Sequence, residues 1–376
     1  MNLHILSFDI PYPANYGGVI DVFYKLKTLH QLGVKITLHC FQYGNRKEAK
    51  ELEQFCEIVY YYPRQTGIKG FSLQHPYIVS SRKSNELLAN LLKNNTPILF
   101  EGLHTCYYLD HPQLQHRQKW VRMHNIEWEY YQALAESEKS WIKKIYFNVE
   151  ARLLKRFEAK LQHAQTIFAI SPNDCNYLQQ RFQNVHYLPA FHSNETLQSQ
   201  TGKGTYALYH GNLSVNENHE AVMFLVDEVF GQLKYPLIIA GSKPQKELIE
   251  AVGNKANVEL EIFPSNERLQ QLIQDAHINI LPTFQATGIK LKLLNALYNG
   301  RFCLVNKLMV VNTGLEGLCS IADSAEEFQK QIEVLKERVF LKEDIEARSK
   351  VFEGQFSNQE NCRRLVDLMS DVSQNL

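Results

Sequence analysis

The sequence predicts an α/β protein of two Rossmann-like, doubly wound domains facing a central cleft, and three observations lead there. The chain has 376 residues, more than one ordinary core accommodates and enough for two domains of about 150–190 residues each. Short apolar runs alternate with helical periodicity through both halves, the signature of successive βα units. Between the halves lies Pro189–Gly204, a polar stretch rich in Ser, Asn, Gln and Thr that reads as a linker. The expected division is residues 1–190, residues 204–350 and a last segment, 351–376, whose helix stands outside the second series.

The first series opens with a buried strand, Leu3–Phe8, and a loop carrying Pro11, Pro13, Gly17 and Gly18. A helical stretch follows, with apolar positions at Val22, Phe23, Leu26, Leu29 and Leu32; Gly33 stops it, and Val34–Phe41 is the next strand. Similar runs recur at Ile58–Tyr62, Ile98–Phe100, Trp120–Met123 and Thr166–Ile170. The second series comprises Tyr206–Tyr209, Leu237–Ala240, Val258–Ile262, Ile278–Leu281 and Phe302–Val305, and a final helix spans roughly Asn358–Ser373. Ligands of open α/β sheets bind at the carboxyl ends of the strands, so residues just after these runs are the site candidates, although a fold alone fixes no chemistry.

Composition narrows the function. Forty basic residues balance forty acidic ones, so no global field draws the chain to nucleic acid, and phosphate binding must come from local geometry. The seven cysteines, Cys40, Cys56, Cys106, Cys175, Cys303, Cys319 and Cys362, are scattered without metal-ligand spacing and read as reduced thiols of a cytoplasmic protein. No basic leader opens the chain and no run of about 18 apolar residues occurs, so neither export nor a membrane span is expected.

The most informative segment is Leu281–Gly300, where a strand ends at Pro282, a loop carries Thr287 and Gly288, and a helix runs on to Gly300. Free amides at a helix N-terminus and the positive end of its dipole make an anion site, and Lys290 and Lys292 add charge. An ordinary strand–loop–helix connection with solvated lysines has the same spacing.

This segment resembles the donor loop of the retaining glycosyltransferases of family 4, enzymes of the GT-B fold, which often read there P-x(3)-G-T-G-I-K-L-K-x-L-E-A-L-x-x-G. Five further stretches agree in order: Pro11–Gly18, Arg122–Trp128, Ala169–Asp174, Tyr209–Ser214 and Gly314–Leu318. The resemblance implies a metal-independent hexosyltransferase acting, with retention of configuration, on a nucleoside-diphosphate sugar linked to UDP or GDP. Its acceptor would be a hydroxyl of a glycan or lipid-linked saccharide in polysaccharide biosynthesis, and no further cofactor is implied. The absence of any Asp-x-Asp motif agrees with the lack of a metal.

Residue by residue, the resemblance implies that Gly17 and Gly18 lie against the donor phosphates or sugar. The amides of Ile289, Lys290 and Leu291 would hold the diphosphate, with Gly211 and Asn212 as the opposing turn. Phe263 would border the nucleobase, and simple core packing is its competing role. His124 would contact the transferred sugar as the catalytic residue, while Glu101 and His104, after another strand, would orient the acceptor hydroxyl.

Two departures stand out. Where the family commonly carries two glutamates seven residues apart, this chain has Thr287 and Asn295, and an amide oxygen accepts a ribose hydroxyl without charge assistance. The basic side chain usual after the Gly211-Asn212 turn is replaced by Ser214, Val215, Asn216 and Glu217, leaving Lys243 or Lys290 to supply the charge. These departures keep open a second class of function, a catalytically weak nucleotide-sugar-binding partner of another transferase. A GT-B epimerase would need additional carboxylates in the cleft. Finally, Ser140–Leu161 is a basic, aromatic helical stretch containing Trp141, Lys143, Lys144, Tyr146, Phe147 and Arg152. It reads as an amphipathic core helix or as a peripheral contact with the inner membrane face.

Overall fold

The structure is a computed structural model that describes residues 1–284 and 291–371. Its described residues divide into two compact units, the first formed by residues 1–193 and 355–371, the second by residues 194–284 and 291–354. Each is described by itself.

Among the described residues, the first unit holds seven parallel strands: β1 (Asn2–Ser7), β2 (Lys35–Gln42), β3 (Ile58–Pro63), β4 (Ile98–Glu101), β5 (Lys119–Met123), β6 (Thr166–Ala169) and β7 (Val185–Tyr187). Their order is β3-β2-β1-β4-β5-β6-β7, so the direction of winding reverses between β1 and β4. Strand β7 is only three residues long, too short to show a period in the sequence. Helices α1 (Gly17–Gln31), α2 (Glu127–Ser137) and α3 (Trp141–Phe157) belong to this unit.

The two-residue period of a strand decides what each face carries. Ile98 and Phe100 of β4, with Val121 and Met123 of β5, point into one core, shared with Leu154 and Phe157 of α3. Leu99 and Trp120 point to the other side, into a core with Val19, Val22, Leu26 and Leu29 of α1. Glu101 and Arg122 share the parity of Leu99 and Trp120, so the same alternation that builds the apolar core also sends two charged side chains toward α1.

The second unit holds β8 (Ala207–Asn212), β9 (Leu237–Ser242), β10 (Val258–Ile262), β11 (Ile278–Ile280), β12 (Phe302–Val305) and β13 (Ser320–Ile321) among its described residues. All are parallel, in the order β10-β9-β8-β11-β12-β13, with the reversal between β8 and β11. Helices α4 (Asn216–Phe224), α5 (Lys246–Gly253), α6 (Asn266–Asp275) and α7 (Leu291–Asn299) connect them. The last helix, α8 (Asn358–Asp371), lies in the first unit, where Cys362, Leu365 and Met369 enter the core beside α1. No described helix is long and apolar enough to cross a membrane. All seven cysteines are unpaired thiols, six of them buried.

Candidate active site

The topological reversal in the first sheet places the residues that follow β1, β4 and β5 side by side. Phe8 follows β1, Gly102 and His104 follow β4, and His124 follows β5. The Phe8 ring lies 5.4 Å from that of His104 and 5.3 Å, edge-on, from that of His124. Gly18, in the first turn of α1, permits this packing, because a Cβ there would come within 2.6 Å of Phe8 Cζ. Neither Gly17 nor Gly18 has a positive φ, so close approach to Phe8, rather than turn geometry, explains the glycine at 18. Gly102 is different. Its φ of 70° is in the left-handed region, and a Cβ would stand 3.0 Å from His104 Nδ1.

Beneath these rings lies a fully buried charge cluster. The i, i+4 spacing of Asp21 and Lys25 puts both on the inner face of α1. The Lys25 ammonium contacts Asp21 Oδ2 at 2.8 Å and Glu101 Oε1 at 2.9 Å. Arg122 donates to Asp21 from NH2 at 3.0 Å and from Nε at 3.2 Å, and also donates to the carbonyls of Leu188 and Pro189. Asp21 Oδ1 accepts from the Phe191 amide at 2.8 Å. Burial would raise the Asp21 pKa, but Arg122 and Lys25 overcome it and hold the carboxyl well below the usual range.

Asp21, Glu101 and His124 bring ligand atoms within 4.8 Å of one another, close enough to chelate a cation. The Lys25 ammonium already bridges the two carboxylates, so two negative and two positive side chains balance without an ion.

The cluster orients His124, which is 4 % exposed. Its Nε2 lies 3.0 Å from Glu101 Oε2, and an ionised Glu101 is acceptor-only, so Nε2 carries the proton. Nδ1 is buried and without a partner among the described residues. Glu101, expected to orient an acceptor, instead orients His124.

A second pair of unsatisfied atoms lies nearby. His104 Nδ1 and Glu127 Oε1 are buried without hydrogen bonds and stand 3.7 Å apart, too far to bond each other. A hydroxyl touching both would satisfy both. Burial pushes the Glu127 carboxyl up to about 8, and burial with the Arg82 charge lowers His104 well below its ordinary value. At neutral pH this pair is largely an acid beside a neutral imidazole. The sequence reading quoted Glu127 within a motif but gave it no role. Arg122 was likewise quoted without a role, its signal a charged residue continuing an apolar alternation, and Asp21 and Lys25 on α1 were missed.

In the second unit the reversal lies between β8 and β11. Gly211 and Asn212 are the last residues of β8 and not a turn; the chain turns at Leu213–Val215, with Asn212 Oδ1 accepting from the Ser214 amide and hydroxyl. Thr287, Gly288, Ile289 and Lys290 lie outside the described residues, while Leu291 opens α7. Lys292, the second residue of that helix, reaches β8: its ammonium donates to Asn218 Oδ1 at 2.8 Å, and Asn218 donates to the Asn212 carbonyl at 3.0 Å. A basic side chain thus stands beside the end of β8, although the residues following Asn212 supply none. Asn295 Oδ1 already accepts from Asn299 at 2.9 Å. Lys243 and Phe263, immediately after β9 and β10, both have left-handed backbones, with φ of 53° and 54°. Phe263 is 63 % exposed, which removes core packing as its role. Strained residues at adjacent strand ends mark functional positions more often than structural ones.

Comparison with known proteins places this geometry in a class. The chain aligns over its whole length with a sucrose-phosphate synthase from Thermosynechococcus elongatus, at 13% identity and TM-score 0.69, covering 100% of both chains. It aligns with TarM at 9% identity and TM-score 0.69, covering 98% of each chain. A pneumococcal O-GlcNAc transferase, GtfA, solved with UDP and GlcNAc, matches at 11% identity and TM-score 0.67, covering 99% of each chain. The fold is therefore that of the GT-B glycosyltransferases: two parallel-sheet, Rossmann-like α/β domains. By sequence, the chain is 27% identical over 328 residues to an uncharacterized 44.6 kDa protein in the cps region of Klebsiella pneumoniae, covering 82% of this chain and 84% of the relative. No family model matches the chain.

Proposed function

We propose that the protein is a glycosyltransferase that moves a hexose from a nucleoside-diphosphate sugar, UDP- or GDP-linked, to a hydroxyl of a glycan or lipid-linked saccharide, with retention of configuration. The observation that carries this reading is the unpartnered Nδ1 of His124 at the β1–β4 reversal of the first sheet, its proton held on the opposite nitrogen by Glu101. In its neutral form, with the proton on Nε2, this imidazole would accept a hydrogen bond from a sugar hydroxyl at Nδ1 and carry no positive charge against a developing oxocarbenium ion. His104 and Glu127 offer the second polar pair, suited to an acceptor hydroxyl.

In the second unit the residues after β8 to β11 would hold the nucleotide, with Phe263 against the base, Lys243 and Lys292 toward the diphosphate, and the loop through Gly288 and Lys290 supplying amides. Metal plays no part in this reading. The cps-region relative and the O-GlcNAc transferase likeness support a glycan acceptor.

A second reading, a nucleotide-sugar-binding partner with weak catalysis, is favoured by Asn295, whose acceptor oxygen is already engaged by Asn299. His124→Ala separates the two. In an enzyme, turnover of the nucleotide sugar falls about 10²–10³-fold while nucleotide affinity holds. Wild-type turnover in the variant, with donor and acceptor saturating, removes His124 from the site. Nucleotide-sugar binding without any transfer or hydrolysis by the parent protein establishes the second reading.

A further inference from the structure

Helix α3 breaks the usual relation between burial and polarity. Its buried residues, Glu150, Ala151, Leu154 and Phe157, lie on one side. At 100° per residue, Trp141, Ile142, Ile145 and Val149 fall together on the opposite side. That outward face is apolar: Trp141 is 71 % exposed, Ile142 63 % and Ile145 55 %. A second exposed apolar group lies in the segment before Tyr77. Ile68, Phe71 and Leu73 are also exposed, Ile68 at 94 %. The segment is tied to α3, since Glu150 Oε2 accepts from the Tyr77 amide at 2.8 Å and Tyr77 OH accepts from the Gly67 amide at 2.9 Å.

The charge around this surface is predominantly positive, with one acid, Glu138, pairing with Lys143 at 3.8 Å. Residues 139–157 carry Lys139, Lys143, Lys144, Arg152, Lys155 and Arg156, all exposed, and the one acid among them, Glu150, is buried. Residues 64–77 contain Arg64 and Lys69 and no acid. Since the whole chain is neutral, this is a local concentration of positive charge around exposed aromatic and aliphatic side chains.

We propose that this face of the first unit docks on an anionic lipid bilayer, with Trp141 and Ile145 entering the headgroup boundary and the lysines and arginines meeting lipid phosphates. Two copies of the chain meeting through this face would bring six basic residues against six others, with Glu138 already paired to Lys143. An anionic bilayer supplies both the apolar layer and the counter-charge. The inference stands independently of the transferase reading, because it concerns a surface and not the site.

The chain has three tryptophans. Trp120 is fully buried and Trp128 half-buried, so Trp141 reports contact. Purified protein is mixed with vesicles of phosphatidylcholine alone or with 30% phosphatidylglycerol (about one lipid in three), and sedimentation and tryptophan emission are followed. Binding to the anionic vesicles, with a blue shift of emission and reversal by high salt, is the expected result. Lys143→Glu with Lys144→Glu lowers partitioning by at least about tenfold, and Trp141→Glu with Ile145→Glu does the same. All four positions are exposed, so thermal unfolding stays as in the parent. Absence of binding to anionic vesicles overturns the proposal, as does unchanged binding by either double variant. A dimer in sedimentation velocity that Trp141→Glu with Ile145→Glu dissociates, without vesicle binding, assigns the face to a second copy instead.

Discussion

Lys25→Met tests whether the buried charge cluster is a unit. The ammonium lies 2.8 Å from Asp21 and 2.9 Å from Glu101, and all three side chains are fully buried. Methionine fills a similar volume without charge. Asp21 then keeps Arg122, but Glu101 keeps only the imidazole of His124. Breaking a buried pair from one side typically costs about 3–5 kcal/mol, because the remaining charge is uncompensated. Removing that charge as well, in Lys25→Met with Glu101→Gln, recovers stability, so the cycle shows a coupling of at least about 1 kcal/mol. Urea unfolding followed by tryptophan emission is the assay. Trp120, Trp128 and Trp141 all belong to the first unit, so the signal follows that unit and avoids treating a two-unit chain as one transition. A Lys25→Met protein within about 1 kcal/mol of the parent, or strict additivity in the cycle, refutes the argument that Glu101 depends on Lys25.

Glu127→Gln changes pH dependence. Burial raises the folded-state pKa of Glu127 to about 8, so its contribution is full below the ordinary carboxylate range and is lost as pH rises toward 8. The loss is at most about 5 kcal/mol. The glutamine variant lacks that part of the slope, which urea midpoints at pH 5, 6, 7 and 8 measure. Gly18→Ala forces Phe8 to move, since the new Cβ would meet its ring at 2.6 Å. It costs about 1–3 kcal/mol and lowers turnover by displacing the His104 and His124 rings; unchanged turnover would show that Phe8 does not set their position. Asn295→Glu offers a carboxylate that accepts from Asn299 and retains a second oxygen for a ribose. Calorimetry should show nucleotide affinity preserved or tightened, and abolished binding would show a pocket built around the amide.

The sequence made the architecture legible because strands and helices advertise themselves through period. Runs such as Ile98–Phe100 and Val258–Ile262 lie inside or coincide with β4 and β10. The strands it did not show, β7 and β13, have three and two residues and, unlike the equally short β11, which continues into Leu281, belong to no apolar run long enough to read. His124 was legible because it directly follows an apolar run. Its partners were not, for a physical reason. Asp21, Lys25 and Arg122 are individually indistinguishable from surface charges in a one-dimensional reading, and only the shared parity of Glu101 and Arg122 with Leu99 and Trp120 hints that they point inward. Their burial is a property of the set. None could be buried alone, since an isolated charge in that core is prohibitively unfavourable, and each is tolerated because α1, β4 and β5 converge at the same point. The consequence is directional. Arg122 and Asp21 grip the carbonyls of Leu188 and Pro189 and the amide of Phe191, while Lys25 and Glu101 fix the His124 proton on Nε2. The path of the backbone after β7 and the orientation of the His124 ring are thereby set by one cluster, so a substitution at Asp21 should disturb both. Loss of turnover in Asp21→Asn with an unaltered first-unit stability would break that link, because the two effects share one set of hydrogen bonds.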